Sequence, residues 1–572
     1  MPPLPDLTLK VSGRSAASQI LGAVAEVEVI ARRGCPARFT MRLEFASEGD
    51  LFASVDGIVG KMLAPGTQIE IMRRTRRTQT SVLIGIVDTV GIDLDLDRTT
   101  RPPTIVVEGH DRAHLLTRQE KTRVFTAMSA TDVAEHVASD HGLKSDTDAS
   151  DRFAHMFQSG ETDWDLLVRL AARIGFDVYV TGDTLHFQAT GRRGESRMTW
   201  RRGLVRFMPL VTPSRQSAHV TVRGWDQVHK EEIVGEGSTG DPNPVGRSIQ
   251  VSDGRLGTTQ EAIDLAQAMA DEIERSATTG TGLLRPGRPN VMPGVLATIG
   301  GLGTGFDGEY YVGATAHRFT VEGYTTSFEV GVPMPTRSSP DHRNVPVGIQ
   351  RGTAIGIVTD TQDPDGLARV RVKFPWLGDD STSSWARVAT PMAGRDRGVF
   401  FIPEVDDEVL VAFEFGDIGA PYVVGSLWNH VDVPPETGSG GENDVRLIRS
   451  RSGHELRFDD TPGSESVEIT TTTGQTIRLD DGNDRIEIVS GSGDRTILVD
   501  AGSGHIELRA DRSITIESVG DLALKAGGDL TLEAGADLVA TAASSASIEG
   551  VARAELTSSA QVKVKGAIVT IN

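Results

Sequence analysis

HIELRADR SITIESVG DLALKAGG DLTLEAGA DLVATAAS SASIEGVA RAELTSSA QVKV, residues His505–Val564, divides into octads whose second and fourth positions are apolar every time. The pairs are Ile506 and Leu508, Ile514 and Ile516, Leu522 and Leu524, Leu530 and Leu532, Leu538 and Ala540, Ala546 and Ile548, Ala554 and Leu556, and Val562 and Val564. Residues at n and n+2 lie on one face of a strand. Ser, Gly, Asp, Thr and Ala fill most other positions. The unit is therefore a short strand and a turn, repeated without drift.

Eight residues cannot enclose a core. A single-chain coil needs roughly 20 or more, because several walls must surround the interior. One octad supplies one wall of a triangle, and three chains supply a closed prism. The larger members of the pairs, from Ile506 to Val564, are then the predicted trimer core. This explains why Phe458 is the only aromatic residue after position 445, and it removes exposed sheet edges. Taken over residues 445–572, about sixteen rungs spaced about 4.8 Å apart would form a shaft roughly 75 Å long. Two other readings compete: a flat two-sheet coil made by one chain, and an aggregating low-complexity tail. The steady phase over eight turns opposes the second.

Working outward, 572 residues are enough for several domains. Lys and Arg number 58 against 79 Asp and Glu, a net charge of −21, which argues against nucleic acid as a partner. Hydrophobic residues at 38% exclude a disordered chain. The 63 glycines with only 5% aromatics suit a β-rich protein of many turns and narrow cores. The one cysteine, Cys35, excludes intrachain disulfides and thiolate metal clusters. The N-terminal stretch lacks a secretory pattern, and no apolar run is long enough for a membrane helix.

Residues 1–345 read as an α+β region of two sub-domains. Helices are expected from Thr131 to Ala138, after a Thr162/Asp165 cap up to Gly175, and after a Thr258/Glu261 cap with Ile263, Ala266, Ala270 and Ile273 on one face. Alternating stretches at 25–30, 39–45, 81–87, 104–107 and 218–222 read as strands. Residues 353–430 carry five or six short strands, including one at Val399–Ile402, and a DPDG turn at Asp363–Gly366. That pattern suits a small barrel. Residues 431–444 read as a linker.

At this point the chain resembles a VgrG-type spike, the hub and spike of type VI secretion, extracellular contractile injection systems and contractile phage tails. Trp385–Asn429 carries the resemblance most specifically, through Trp385, Ala393 and Gly394, Pro403 to Val405, Gly416 and Asp417, Pro421, and Gly425 to Leu427. The family favours Gly after Pro-Glu-Val, where this chain has Asp406. Gly109–Arg118, Glu161–Gly175 and Val222–Asp226 resemble the hub. The resemblance implies a mainly β protein with some α: an α+β hub of barrel sub-domains (1–345), an OB-fold barrel (353–430) with Trp376, Trp385, Pro403, Gly416, Asp417 and Pro421 as structural residues, and a trimeric β-helix or triangular prism (445–572). It further implies a homotrimer joined to the inner tube and baseplate. A PAAR-type tip protein would sit on Val569, Thr570, Ile571 and Asn572, with any effector carried separately.

Residues that could carry chemistry lead elsewhere. Gly303, Gly305 and Gly308 match G-x-G-x-x-G but precede a strand, so a glycine-rich hairpin is expected rather than a dinucleotide site. The turns at Asp484 and Asp494 resemble calcium-binding nonapeptides with an incomplete glycine pattern, and ordinary turns are expected. No hydrolase, metalloprotease or P-loop motif occurs. The expectation is therefore no catalytic residue, no metal and no cofactor. The chain is expected to be a structural piercing device, assembled in the cytoplasm and driven across a target envelope, which it meets only transiently. The absence of an effector domain after the last strand and a compact hub favour an extracellular-type particle over type VI secretion, and the short linker leaves no room for a domain inserted between barrel and prism. The rivals are a β-helix enzyme that cleaves polysaccharide and a phage tail hub of the same architecture.

Overall fold

The computed structural model describes residues 3–571 except 56, 58–61, 95–101, 212–218, 227–228, 240–247, 254–255, 336–351, 376–381 and 438–441. The chain forms two compact units, Met1–Val433 and Pro434–Asn572, so the division falls inside the expected linker. None of the described helices is long and apolar enough to cross a membrane.

In the first unit, the strand Gly308–Thr320 belongs to two barrel-like sheets at once. Its first residues pair with Leu296–Gly300 and its later ones with Val24–Arg32, while Gly323–Val330 runs along its other edge. On one side, Leu296–Gly300, Glu195–Trp200, Gly203–Val211, Thr278–Leu284, Gly323–Val330 and Gly308–Thr320 pair in a closed ring of six. Met198, Leu204, Leu284, Ile299 and Phe328 fill its core. On the other side the sheet continues through Val24–Arg32, Arg38–Glu44, Thr104–His110, Gln79–Asp93, Gln68–Arg74 and Leu7–Val11. Phe39, Met41, Leu43, Ile69 and Ile71 fill that core. The expected glycine-rich hairpin joins Leu296–Gly300 to Gly308–Thr320, and the Phe306 and Asp307 N–H groups both donate to the Gly303 carbonyl.

Two helical layers pack on this frame. Ala130–Asp140 begins one residue earlier than expected, because Ser129 and Asp132 form a reciprocal capping box. Asp163–Ile174 is capped by Thr162 and ends at Gly175, whose φ of 72° is left-handed. Thr259–Ala277 is capped by Thr258, but its buried face runs through Ala262, Ala266 and Ala270, and Ile263 is exposed. The reason is the strand beneath, Glu231–Ser238. A Cβ on Gly235 would lie 2.1 Å from the Ala262 carbonyl carbon, and one on Gly237 would lie 2.3 Å from the Ala266 oxygen. Glycine facing alanine brings backbone onto backbone, and the larger Ile263 is turned outward. Arg33 ties the layers together, with Nε donating to Asp177 at 2.6 Å and Nη1 to Glu272 at 2.6 Å. The Tyr311 hydroxyl also donates to Asp177.

The small barrel is a five-stranded sheet of Arg371–Lys373, Ala354–Asp360, Glu408–Phe413, Pro421–Ser426 and Arg387–Val388. Val358, Val372, Phe374, Val409 and Val411 form its core. The expected strand at Val399–Ile402 is absent. Its two phenylalanines are exposed, Phe400 by 78%, after a short hairpin of Ala393–Gly394 with Arg397–Gly398. Asp406, where the family favours Gly, has a φ of 77°. That left-handed position explains the preference, and Asp tolerates it better than most side chains.

The second unit corrects the uniform-octad reading of 445–572. Val445–Arg449, Glu455–Asp459, Ser466–Thr470, Thr476–Asp480, Arg485–Val489, Thr496–Asp500 and His505–Arg509 form one seven-stranded antiparallel meander, each strand paired with the next in the same chain. These hairpins recur about every ten residues because turns of four to six residues separate the strands. The turns at Asp484 and Asp494 are hairpin turns of this sheet. Octads begin only with its last strand.

Candidate functional site

In six of the seven strands the apolar residues at n and n+2 fall on one face, and hairpin register stacks them in two rows; the first strand, Val445–Arg449, adds only Ile448 and sets Arg446 opposite Phe458. One row runs Ile448, Leu456, Ile469, Ile477, Ile488, Ile497, Leu508, each directly opposite the next. The second runs Phe458, Val467, Leu479, Ile486, Val499, Ile506. All thirteen side chains share one face, since register and alternation leave no other choice. The opposite face carries Arg457, Glu468, Arg478 and Glu487 in consecutive opposition. Such exposed pairs contribute only about 0–1 kcal/mol each, but they keep that face wet and so determine which side turns inward.

Among the described residues nothing covers the apolar face. Ile488 is 43% exposed and Ile506 68%. Cross-strand neighbours hide part of each side chain, and the outward part needs another surface. A three-strand or larger sheet with one apolar face reaches stability by packing that face.

Beyond Arg509 the chain changes character. Residues 511–571 are all exposed, and among the described residues 510–571 form no strand pairing. Bends fall at 511–512, 519–520, 527–528, 535–536, 543–544, 551–552, 559–560 and 567–568, one pair every eight residues. Between them the backbone forms neither helix nor strand. Ile514, Ile516, Leu522, Leu524, Leu530, Leu532, Leu538, Ile548, Leu556, Val562 and Val564 occupy the intervals, each strongly exposed and Ile548 by 91%. Backbone with no ladder partner leaves a donor and an acceptor per residue to be satisfied elsewhere. The octads thus have the right bend period and no internal partner, while Ile506 and Leu508 join them to the rows of the meander. At the end, Val569 and Ile571 are exposed with Thr570 between them; Asn572 lies outside the described residues.

Five of the six residues expected to support the OB fold lie among the described residues of the small barrel. The Arg371 guanidinium sits 4.8 Å from the Trp385 ring centroid. Pro403 and Pro421 are buried, and Pro421 opens a strand opposite Phe413. Gly416 has a φ of 78°, and Asp417 accepts the Gly419 N–H at 2.8 Å. Trp376 lies outside the described residues. The DPDG turn is held by Asp363, which accepts the Arg369 guanidinium at 2.6 Å and the N–H groups of Asp365, Leu367 and Arg369. That hydrogen bonding, Arg369 foremost, holds its carboxyl well below the usual carboxylate range. The hub also brings Asp88, His110 and His114 together, which sequence spacing left apart.

Comparison with known proteins fits this geometry. Residues 354–428 match the family model of the type VI secretion system/phage-baseplate injector OB domain, and residues 7–321 match that of the Alg8 N-terminal domain. Among curated proteins, the type VI secretion system spike protein VgrG5 of Pseudomonas aeruginosa is 36% identical over 132 residues, 22% of this chain and 17% of the relative. VgrG1b of the same organism is 30% identical over 179 residues, 29% of this chain and 23% of the relative. The chain thus spans less than a quarter of the length of these relatives. Among solved structures, the Escherichia coli c3393 protein of the type VI secretion system aligns over 73% of this chain and 99% of its own, with TM-score 0.46 and 14% identity. A lidless PdpA-VgrG complex aligns over 88% of this chain and 98% of its own, with TM-score 0.48 and 10% identity.

Proposed function

We propose that this chain, a VgrG-type spike protein belonging to the Alg8 N-terminal domain family, is the homotrimeric hub and central spike of a contractile injection particle. One observation carries the reading: residues 510–571 are bent every eight residues and apolar at two positions per octad, with no strand pairing among the described residues. Two further copies satisfy both needs at once. Their strands complete the ladder, and their apolar pairs meet on a three-fold axis. Three meanders with apolar faces turned inward close the upper part of the same shaft, each chain building one whole wall. Below, the walls are shared between chains.

Two barrel-like sheets per chain make six per trimer, the number needed to match a hexameric tube. The hub then attaches to tube and baseplate, and the exposed end from Val569 receives a PAAR-type tip protein. The role is mechanical rather than catalytic. A shaft in which every rung is bonded above and below cannot buckle without breaking many hydrogen bonds together, so axial force from sheath contraction reaches a narrow point. The particle is assembled in the producing cell and delivered outward. Size-exclusion chromatography with light scattering should give three times the 61.2 kDa chain mass, and electron microscopy a needle with a wider head. A stable 61.2 kDa monomer overturns the reading.

A further inference from the structure

We infer that Asp88, His110 and His114 form a binding site for one divalent transition-metal ion of the zinc class on the hub. The inference is independent of the piercing role. Asp88 lies on Gln79–Asp93, His110 ends Thr104–His110, and His114 sits in the 3₁₀ turn Arg112–Thr117. Buried Asp111 fixes the turn by accepting the Ala37 N–H at 3.0 Å and the Ala113 N–H at 3.1 Å. The turn lays His114 over His110, with ring centroids 4.4 Å apart. One ligand atom from each of the three residues lies within 4.8 Å of the others.

Two hydrogen-bonding facts point to a ligand. The Thr117 hydroxyl donates to the His114 carbonyl at 2.9 Å and lies 3.3 Å from His114 Nδ1. With Nδ1 facing Thr117, Nε2 is the nitrogen left for a ligand, the arrangement in which an outer hydrogen bond orients a metal-binding imidazole. Meanwhile His110 Nδ1 is buried and has no hydrogen-bond partner, an unusual state for a buried polar atom. Ring stacking accounts for the closeness of the imidazoles but not for that orphaned nitrogen.

Two imidazoles and a carboxylate suit Zn²⁺, Co²⁺ or Ni²⁺ rather than the oxygen-seeking Ca²⁺ or Mg²⁺. Tetrahedral Zn²⁺ with bonds near 2.0–2.1 Å sets donors about 3.4 Å apart, so binding draws together donors that lie within 4.8 Å of one another. Arg118 pairs with Asp88 at 3.4 Å, a weak surface contact that an ion displaces. Three protein donors leave a fourth position for water.

The untagged full chain, stripped of metal, should take up one Co²⁺ per chain with the visible absorption of a tetrahedral site, and Zn²⁺ should displace it. His114→Ala and Asp88→Asn should each weaken Co²⁺ binding by about tenfold or more, while His136→Ala, away from the site, should not. Asp88 is exposed, so its variant keeps the fold and the test. Absence of saturable Co²⁺ binding, or binding unchanged in both site variants, overturns the inference.

Discussion

Leu530→Asp tests the shared core directly. Leu530 is 59% exposed in the single chain, and full burial of a leucine is worth about 1.5–3 kcal/mol. Covering the remaining exposure therefore contributes about 1–2 kcal/mol per chain, or about 3–5 kcal/mol per trimer. The variant loses this and places three carboxylates together in an apolar layer, where desolvation and mutual repulsion cost several kcal/mol more. The total rivals the whole stability of a typical domain, about 5–15 kcal/mol. Thr531→Asp is the matched control, one residue along on the opposite face. Light scattering and thermal melts at neutral pH should show Leu530→Asp dissociated or strongly destabilised, with Thr531→Asp trimeric. The introduced carboxyls have their pKa raised in the assembly, so its stability is retained below their unfolded pKa and lost as pH rises. Acidification to about pH 4 should partly restore the trimer. Equal behaviour of the two variants, or an intact Leu530→Asp trimer, refutes the inward assignment.

Arg33→Ala should leave Asp177 and Glu272 without their shared cation and lower hub stability by about 3–5 kcal/mol, read by calorimetry. Asp363→Asn should destabilise the small barrel at pH 7. Because the native Asp363 pKa is depressed, the stability it contributes is present above the unfolded carboxylate pKa and lost as pH falls, so the melting difference from wild type should shrink toward pH 2. Deleting Val569–Asn572 should abolish capture of a PAAR-type protein while leaving the trimer intact; undiminished capture would place the tip contact elsewhere.

The octads were legible because two-residue alternation at a fixed period survives any tertiary context, and the helices because Thr162 and Thr258 announce their own N-termini. The meander was not separated from the octads, since both present apolar pairs at n and n+2. Only the longer turns, such as TTTGQ at 471–475, distinguish a strand that returns on itself from one that moves to a neighbour. Ile263 was misplaced because helical periodicity is blind to Gly235 and Gly237, which admit only small residues against them. Val399–Ile402 has strand composition, but Phe400 and Phe401 lie exposed outside the barrel sheet. Asp88 could not be linked to His110 and His114 from spacing, because strand pairing rather than sequence proximity sets that distance.

In the proposed trimer identical beats carry no address: three tails wound eight residues out of step would lose one rung and otherwise fit as well. The meander cannot slide that way, since its hairpins differ in loop length and each strand pairs with the next in the same chain. It can therefore serve as the starter thread for the winding below, presenting three tails at matched height. Assembly should then be a slow three-body encounter followed by rapid unidirectional closure toward the tip.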